Sequence, residues 1–202
     1  MNAESSEGRF AGLYDLAFNP VLRRVHHTIV QLAEKYDCHS LVDLGSGTGA
    51  QARVLADYGY EVTGIDASSR MIAVARKKST DSITLIHKDI TTVELPETLF
   101  DAANISLVLH PNTNEVISKI LTKAKTLVKS DGVVFITDYG QGTGVIGRTA
   151  GGIMRVIESL AKPDHRRNYF SFMKHNGIAM ISSILPVQVI EKQHYYHGAG
   201  RI

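Results

Sequence analysis

The sequence predicts an α/β fold in which a doubly wound, mostly parallel sheet carries helices on both faces. Helical and strand-like patterns alternate along the chain, which is typical of parallel strands joined by crossover helices. A glycine-rich loop at residues 45–49 directly follows the first short apolar run. The 202 residues are 44% apolar and 21% charged, which is enough to bury the core of one globular domain.

The first half of the chain is expected to alternate between helices and strands. Apolar side chains recur at helical spacing after Asn19-Pro20, where a helix can begin. Ser68 is a suitable N-cap for a later helix. In chain order, the predicted elements are a helix at 21–36, a strand at 40–44, a helix at 48–58, a strand at 61–66 and a helix at 68–78.

The second half continues the alternation. Apolar side chains at helical spacing over residues 114–129 indicate one face turned to a core. The tetrapeptide Lys129-Ser130-Asp131-Gly132 is expected to form a turn before the next strand. The predicted elements here are strands at 82–89 and 100–109, a helix at 114–129, a strand at 133–140 and a sixth strand within 186–197.

The loop VDLGSGTG, residues 42–49, is the most informative motif of the chain. Its glycines let the backbone approach a ligand closely, and the N–H groups of the helix that follows favour an anionic group such as a carboxylate. Gly45, Gly47 and Ala50 also satisfy the spacing of a dinucleotide-binding loop, with Asp66 about 20 residues later. Asp43 would repel a pyrophosphate, and Gly49 completes a Gly-x-Gly-x-Gly loop. Asp43 and Gly49 together therefore favour a site for S-adenosylmethionine (SAM) over a site for NAD.

Four groups of residues end predicted strands, and parallel strands present their carboxyl ends at one edge of a sheet, where ligands bind. These groups are Asp43 to Gly49, Asp66, Asp89, and Ser106 to His110. The Asp66 carboxylate is suited to two hydrogen bonds from ribose hydroxyls. Asp89 and the Ile90 backbone are expected at the adenine ring, and the apolar walls are predicted to come from Ala67, Met71 and Ile90.

Five segments carry a resemblance to a known family: VDLGSGTG, VTGIDAS, HKDI, FDAANISLVLH and LVKSDGVVFITDYG. Over residues 10–140 the chain resembles the class I SAM-dependent methyltransferases. It is most similar to the small ubiquinone/menaquinone-biosynthesis type, which carries a Tyr-Asp pair like Tyr14-Asp15. The resemblance implies a Rossmann-like sheet of six to seven strands. With the loop argument above, the predicted cofactor-binding set is Asp43, Gly45, Ser46, Gly47, Thr48, Asp66, Ala67, Met71, Asp89, Ile90, Ile105 and Ser106.

The chain departs from the family pattern in two places. The Lys-Pro-Gly-Gly turn of the family is replaced by Lys129-Ser130-Asp131-Gly132. The family's sheet ends in an antiparallel hairpin, but about three residues, 200–202, are left for the final strand. That strand is expected to be short, missing or supplied by another chain, so a homo-oligomer through the C-terminal edge is considered. The [DN]PP[YFW] signature of nucleobase methyltransferases is also absent at residues 104–107, which weighs against a nucleic-acid acceptor.

We expect a single domain over residues 1–202 in four consecutive parts. These parts are N-terminal covering helices at 1–38, the cofactor-binding core at 39–140, lid or substrate-side helices at 141–186, and a C-terminal strand region at 187–202.

His110 is the first candidate for a base or substrate ligand, because imidazole ionises near neutral pH. The alternative is a histidine that caps a loop beside Pro111. Tyr14 is a second catalytic candidate, which could close over the methionine end of the cofactor. No metal site is expected, because the spacing of His175, His194 and His197 is not that of metal ligands and a single cysteine cannot make a thiolate zinc site.

The predicted function is transfer of a methyl group from SAM to a small-molecule acceptor at O, N or C by in-line displacement, with S-adenosylhomocysteine as the product. The alternatives are a SAM-binding subunit without catalysis and an NAD-dependent oxidoreductase. The net charge of +2 and scattered basic residues give no reason to expect a nucleic-acid partner. A lone cysteine, Cys38, and the absence of a signal-like or membrane-spanning apolar run predict a cytoplasmic protein with no integral membrane association.

Overall fold

The computed structural model describes residues 22–140, 152, 155–156, 158–159, 161–184, 188–190, 194–195 and 200–201. Tyr14 and His197 lie outside these residues. The chain divides into two compact units, residues 1–88 and 89–202.

The first unit consists of three parallel strands with helices between them. The strand order is β3-β2-β1, and both pairings are parallel. The elements are α1 at 22–35, β1 at Ser40–Leu44, α2 at Ala50–Asp57, β2 at Glu61–Asp66, α3 at Ser69–Lys78 and β3 at Ile83–His87.

Burial and capping explain these elements. Leu41, Val42 and Leu44 are completely buried, as expected for a parallel strand covered on both faces. The predicted N-cap is confirmed, because the Ser68 hydroxyl accepts a hydrogen bond from the Met71 N–H at 3.3 Å. Helix α2 begins two residues later than predicted, because Gly49 adopts a left-handed conformation with φ of 75°.

The second unit combines one parallel strand pair with short antiparallel strands. Strand β4 pairs with β5 in parallel, β5 with β7 antiparallel, and β7 with β6 antiparallel. Gly152, Arg155, Val156, Glu158 and Ser159 are helical. The remaining elements are β4 at Phe100–Ser106, α4 at Asn114–Leu127, β5 at Val128–Tyr139, α5 at Pro163–Lys174, a 3₁₀ helix at Gly177–Met180, α6 at Ile181–Ile184, β6 at His194–Tyr195 and β7 at Gly200–Arg201.

The predicted turn at residues 129–132 is instead an irregular part of β5. Phe100 pairs with Val128, but Ala102 pairs with Val133, so the register shifts between them. The extra residues on β5 form a bulge. Gly132 is needed there, because a Cβ atom at this position would lie 2.7 Å from the Asp101 carbonyl oxygen.

The observed architecture is an α/β, Rossmann-like fold. Five strands are parallel to their neighbours, three in the first unit and two in the second. The final antiparallel strand is present as β7, with two residues among those described. Strand β6 also has only two residues among those described, so the predicted sixth strand is largely outside the described residues. No helix in the described part of the chain is long and apolar enough to cross a membrane.

Candidate functional site

The glycine loop of the first unit is held against the end of β2. The N–H groups of Gly45 and Ser46 donate to the Ile65 carbonyl oxygen at 2.8 and 3.0 Å. Gly45, Gly47 and Gly49 all have positive φ, between 53° and 79°. The loop therefore has the backbone conformation for which its glycines were predicted.

Gly64 on β2 makes room for this loop. A Cβ atom on Gly64 would lie 3.0 Å from the Cβ and Oγ atoms of Ser46 and 3.0 Å from Leu85 Cδ2. Gly64 is not among the site residues predicted from the sequence. The signal was nonetheless present, because a glycine inside a strand pattern often marks a close backbone approach.

Asp66 connects β2 to the loop through both carboxylate oxygens. Oδ2 accepts a hydrogen bond from the Gly47 N–H at 2.9 Å, and Oδ1 accepts one from the Ser68 N–H at 2.8 Å. The side chain is half-buried at the carboxyl end of the strand. Its position is the one expected of a residue that recognises a ligand at this edge.

Two features of the loop fit a polar ligand. The Ser46 hydroxyl is buried and has no hydrogen-bond partner within the described part of the protein. A buried hydroxyl without a partner is unfavourable, and a bound ligand would supply one. Beside it, a Cβ atom on Gly47 would meet no atom of the described residues within 4 Å, so none of these residues covers the loop at that point.

The other predicted contacts of the first unit lie on the same loop and on the segment after β2. Asp43 is almost fully buried near the end of β1. Thr48 is buried, and its carbonyl oxygen accepts a 2.7 Å hydrogen bond from Arg53. Ala67 is exposed and Met71 is half-buried.

Four predicted cofactor contacts belong to the second unit. Asp89 is exposed, and its Oδ1 atom accepts hydrogen bonds from the N–H and hydroxyl of Thr91, both at 2.7 Å. Ile90 is buried, and Ile105 is fully buried within β4. Ser106 ends β4, and its hydroxyl donates to Asn104 Oδ1 at 3.2 Å. The contacts of all four with a cofactor stay predictions.

His110 follows β4 and is fixed by Asp138 near the end of β5. Asp138 Oδ1 lies 2.8 Å from His110 Nδ1, and Oδ2 accepts hydrogen bonds from the N–H groups of Leu109 and His110. A carboxylate oxygen accepts, so the Nδ1 atom carries a proton, and whenever the ring is neutral its lone pair lies on Nε2. Leu107, three residues before His110, has a φ of 58°, a strained conformation for a bulky residue.

Glu158 and His165 complete a cluster around His110. Glu158 Oε1 accepts a hydrogen bond from the Tyr139 hydroxyl at 3.0 Å, and Oε2 lies 2.7 Å from His165 Nε2. The His110 Nε2 atom is 3.8 Å from Glu158 Oε1. We call His110, Asp138, Tyr139, Glu158, His165 and Tyr169 the histidine cluster.

Aromatic rings pack edge to face around His110. Its ring centroid lies 4.6 Å from that of Tyr139, 5.4 Å from that of His165 and 6.0 Å from that of Tyr169. Burial, with smaller contributions from nearby charges including Glu158, raises the pKa of Tyr169 to about 12. Its hydroxyl therefore stays protonated at neutral pH.

Opposing effects act on Glu158. Burial raises the pKa of its carboxyl group, but the hydrogen bond from His165, the charge of His110 and the hydrogen bond from Tyr139 lower it more. The net result is a pKa below the ordinary value, so Glu158 is ionised at neutral pH. The cluster thus combines a buried carboxylate with two imidazoles.

Of the histidine cluster, only His110 is among the site residues predicted from the sequence. Glu158 has no motif around it, and His165 beside Arg166-Arg167 resembles part of a solvated helix face. Within the sequence, Glu158 is separated from His110 by 48 positions and from Asp138 by 20. Only the folded backbone brings these side chains together.

Comparison with known proteins identifies the type of domain. Residues 42–136 match a family model described as a methyltransferase domain. The matched segment begins three residues before the glycine loop at 45–49 and includes most of β5. This chain contains a class I SAM-dependent methyltransferase domain.

Two curated methyltransferases are similar to this methyltransferase domain. A dTDP-3-amino-3,6-dideoxy-alpha-D-glucopyranose N,N-dimethyltransferase of Streptomyces fradiae is 31% identical over 139 residues, which are 65% of this chain and 54% of that protein. A ubiquinone/menaquinone biosynthesis C-methyltransferase of Zymomonas mobilis is 27% identical over 141 residues, 66% of this chain and 57% of that protein. The chain therefore spans somewhat more than half the length of these relatives.

A solved structure shows the same fold over nearly the whole chain. The N-methyltransferase NodS from Bradyrhizobium japonicum WM9 superposes with a TM-score of 0.63 at 18% identity, covering 91% of this chain and 94% of that one. The predicted resemblance to class I methyltransferases is confirmed. SAM is the cofactor of this methyltransferase domain, so the NAD alternative is dropped.

Proposed function

We propose that this protein transfers a methyl group from SAM to a small-molecule acceptor at O, N or C by in-line displacement and releases S-adenosylhomocysteine. The observation that carries the proposal is the loop between β1 and α2, in which the Gly47 N–H donates to Asp66 and the neighbouring Ser46 hydroxyl is buried without a partner among the described residues. The relatives support a small acceptor, because their names describe an amino sugar nucleotide and a quinone precursor pathway.

Asp66 is suited to hold the ribose of SAM without giving up its present contacts. A carboxylate has about four lone-pair positions. In the described residues each oxygen of Asp66 accepts one backbone N–H, from Gly47 or from Ser68. Each oxygen thus keeps a lone pair for one ribose hydroxyl, and the backbone contacts hold the carboxylate in place beforehand.

The loop positions the remaining polar groups of the cofactor. Bound SAM supplies an activated methyl group on its sulfonium. The protein then contributes mainly orientation and exclusion of water, which account for roughly 7–11 kcal/mol of barrier in favourable cases. We assign the Ser46 hydroxyl and the N–H groups at the start of α2 to the amino acid part of the cofactor, because Ser46 lacks a partner among the described residues and a helix N-terminus favours a carboxylate.

His110 is proposed to act on the acceptor, as a base or as a ligand. Its orientation supports this role, because Asp138 accepts the Nδ1 proton and leaves the Nε2 lone pair for a partner. A base is required only when the acceptor carries a proton of high pKa. The role of Tyr14 stays a prediction.

A calorimetric titration tests the cofactor part of this proposal. Purified protein is titrated with SAM, S-adenosylhomocysteine and NADH, and the series is repeated with Asp66→Asn. Asp57→Asn is the matched control, because Asp57 is an exposed carboxylate at the end of α2. We expect micromolar binding of SAM and S-adenosylhomocysteine, at least tenfold weaker in Asp66→Asn, unchanged in the control and absent for NADH. Binding that is the same in all three proteins would contradict the assigned role of Asp66.

Release of S-adenosylhomocysteine tests the activity itself. The protein is incubated with SAM and a panel of amino sugars, phenols, quinols and carboxylic acids. Turnover with any acceptor supports the transferase. SAM binding without turnover on any of them would instead favour a non-catalytic SAM-binding subunit.

That alternative rests on the short C-terminal strands. Among the described residues, strands β6 and β7 have two residues each, and an edge strand presents unpaired N–H and C=O groups with which a second copy could pair. We expect light scattering to detect the resulting homo-oligomer. A cytoplasmic location is part of the same proposal.

A further inference from the structure

We propose that His110, Glu158 and His165 bind one divalent transition-metal cation, with Zn²⁺ as the reference ion. The three side chains offer two imidazole nitrogens and one carboxylate oxygen, and these ligand atoms all lie within 4.8 Å of one another. Two histidines and one glutamate are a known ligand set of zinc sites that keep a fourth position open. The inference goes beyond methyl transfer, since the cation needs no SAM to bind.

The spacing of the ligand atoms is close to that of a metal site. Metal bonds of about 2.0–2.2 Å place neighbouring ligand atoms of a tetrahedral site about 3.3–3.6 Å apart. The distance from His110 Nε2 to Glu158 Oε1 is 3.8 Å, and that from His165 Nε2 to Glu158 Oε2 is 2.7 Å. Binding of the metal would require side-chain rotations that shorten the first distance and lengthen the second, and the metal would replace the proton shared by His165 and Glu158.

The proposed ligands are themselves held by hydrogen bonds with neighbouring side chains, as is usual in metal sites. Asp138 accepts the Nδ1 proton of His110 at 2.8 Å, which turns the Nε2 lone pair towards Glu158. The Tyr139 hydroxyl donates to Glu158 Oε1 at 3.0 Å and fixes the carboxylate. A histidine ligand held by a carboxylate in this way is the usual outer-shell arrangement.

Charge compensation also favours a cation. The Asp138 side chain is completely buried and that of Glu158 is 6% exposed, so two carboxylates lie in the interior within one cluster. Burying charge is unfavourable unless opposite charge lies beside it. A divalent cation bound to the neutral imidazoles would balance the two carboxylates.

The cluster is accessible from one side. The side chain of His165 is 35% exposed, whereas that of His110 is 4% exposed. His165 lies in the first turn of α5 and can admit an ion from solvent. A bound ion would occupy the lone pair of His110 Nε2, so in the metal-loaded protein His110 acts as a ligand and not as a proton acceptor.

Cobalt titration tests the site without cofactor. Metal-free protein is titrated with Co²⁺, whose visible absorption bands intensify in four- or five-coordinate sites, and bound Zn²⁺ is counted by mass spectrometry after dialysis. The variant is His165→Asn, and the control is His39→Asn, because His39 is 82% exposed and lies 3.9 Å from Asp37. We expect one equivalent of metal in the wild type and in the control, and at least tenfold weaker binding in His165→Asn.

A labelling experiment on the wild type removes any dependence on how the variants fold. Diethyl pyrocarbonate modifies accessible histidines, and bound Zn²⁺ should protect His165 but not His39. A wild type without intensified cobalt bands, or zinc that leaves the labelling of His165 unchanged, would overturn the proposal. These outcomes are independent of SAM binding, so failure here and failure of the proposed methyl transfer are distinguishable.

Discussion

The carboxylate of Asp66 accepts a hydrogen bond from the backbone N–H of Gly47, 2.9 Å away, across the gap between β2 and the glycine loop. Its other oxygen accepts the Ser68 N–H at 2.8 Å, at the N-cap of α3. One side chain therefore organises both segments before any cofactor is present. Preorganisation of this kind reduces the entropy lost when a ligand binds.

Asp66→Asn should destabilise the protein even without SAM. The amide keeps one acceptor oxygen, so one of the two backbone N–H contacts is lost. Since the side chain is half-buried, we expect the free energy of unfolding to fall by about 1 kcal/mol. Urea denaturation without cofactor measures this change. The control Asp57→Asn should stay within about 0.5 kcal/mol of the wild type, as surface substitutions usually do.

Gly64→Ala should displace the glycine loop, because position 64 on β2 packs against Ser46 of that loop. The added Cβ atom would lie 3.0 Å from atoms of Ser46 and Leu85, which is tighter than ordinary packing. We expect a loss of about 1–3 kcal/mol of stability, as for other overpacked sites, and weaker SAM binding because Ser46 must move. Gly152→Ala is the control, since its Cβ atom would meet nothing within 4 Å. Equal stability of the two variants in urea denaturation would contradict the close approach of β2 and the loop.

Asp138→Asn should be the most damaging of the single-atom changes in the histidine cluster. Each carboxylate oxygen accepts from two donors, among them the backbone N–H groups of Leu109 and Tyr139. An amide NH₂ in place of one oxygen leaves two buried donors without an acceptor, so we expect a loss of about 3 kcal/mol. Chemical denaturation of the variant measures this loss.

The matched control is Asp131→Asn, an exposed aspartate on the same strand β5. It should change the free energy of unfolding by no more than about 0.5 kcal/mol. If Asp138→Asn were equally mild, the buried Asp138 hydrogen bonds would not have the strength assigned to them.

Gly177→Ala should separate a steric collision from backbone strain. Gly177 has a φ of 58°, and an added Cβ atom would collide with the Tyr139 carbonyl oxygen. Gly59→Ala is the comparison, because Gly59 has a φ of 90° but its Cβ atom would meet nothing within 4 Å. We expect about 1–2 kcal/mol of destabilisation from strain at Gly59 and a clearly larger loss at Gly177. Thermal and urea unfolding of both variants provide the comparison.

The ionisation of Tyr60 should lower the free energy of unfolding as the pH rises above 10. Burial, followed by the charges of Glu34 and Cys38, raises the pKa of Tyr60 above 10.0 in the folded protein. The folded state then holds its proton more tightly than the unfolded state, so this contribution is present below pH 10 and is lost as pH rises further. Tyr60→Phe should flatten the fall in stability above pH 10. Tyr58→Phe, at an exposed neighbouring tyrosine, serves as the control, and identical alkaline profiles of the two variants would contradict the effect.

Local patterns predicted much of the first unit. The apolar run before the loop, the glycines with positive φ and the cap at Ser68 each depend on residues a few positions apart. Propensity and spacing are informative at that range. The local pattern gave a wrong prediction at residues 129–132. The tetrapeptide has the composition of a turn, but pairing with β4 makes it part of the bulged strand β5.

The histidine cluster could not be predicted from the sequence. His110 was selected for its place after a strand, but its partners Asp138, Glu158 and His165 come from β5 and from the segment that follows it. Their proximity results from strand pairing and helix packing over tens of residues, which no motif spacing encodes.

Ser46 and Gly64 share one small volume, and this has an evolutionary consequence. A larger residue at position 64 would press on Ser46 and on Leu85, so a smaller residue at position 46 relieves one of the two contacts, and positions 46 and 64 are expected to covary among related chains. Gly64→Ala combined with Ser46→Gly should recover the part of the lost stability that comes from the contact with Ser46, while removing the hydroxyl offered to the cofactor. The residue at position 64 of β2 therefore restricts which side chain the loop can carry at position 46, 18 positions earlier in the chain.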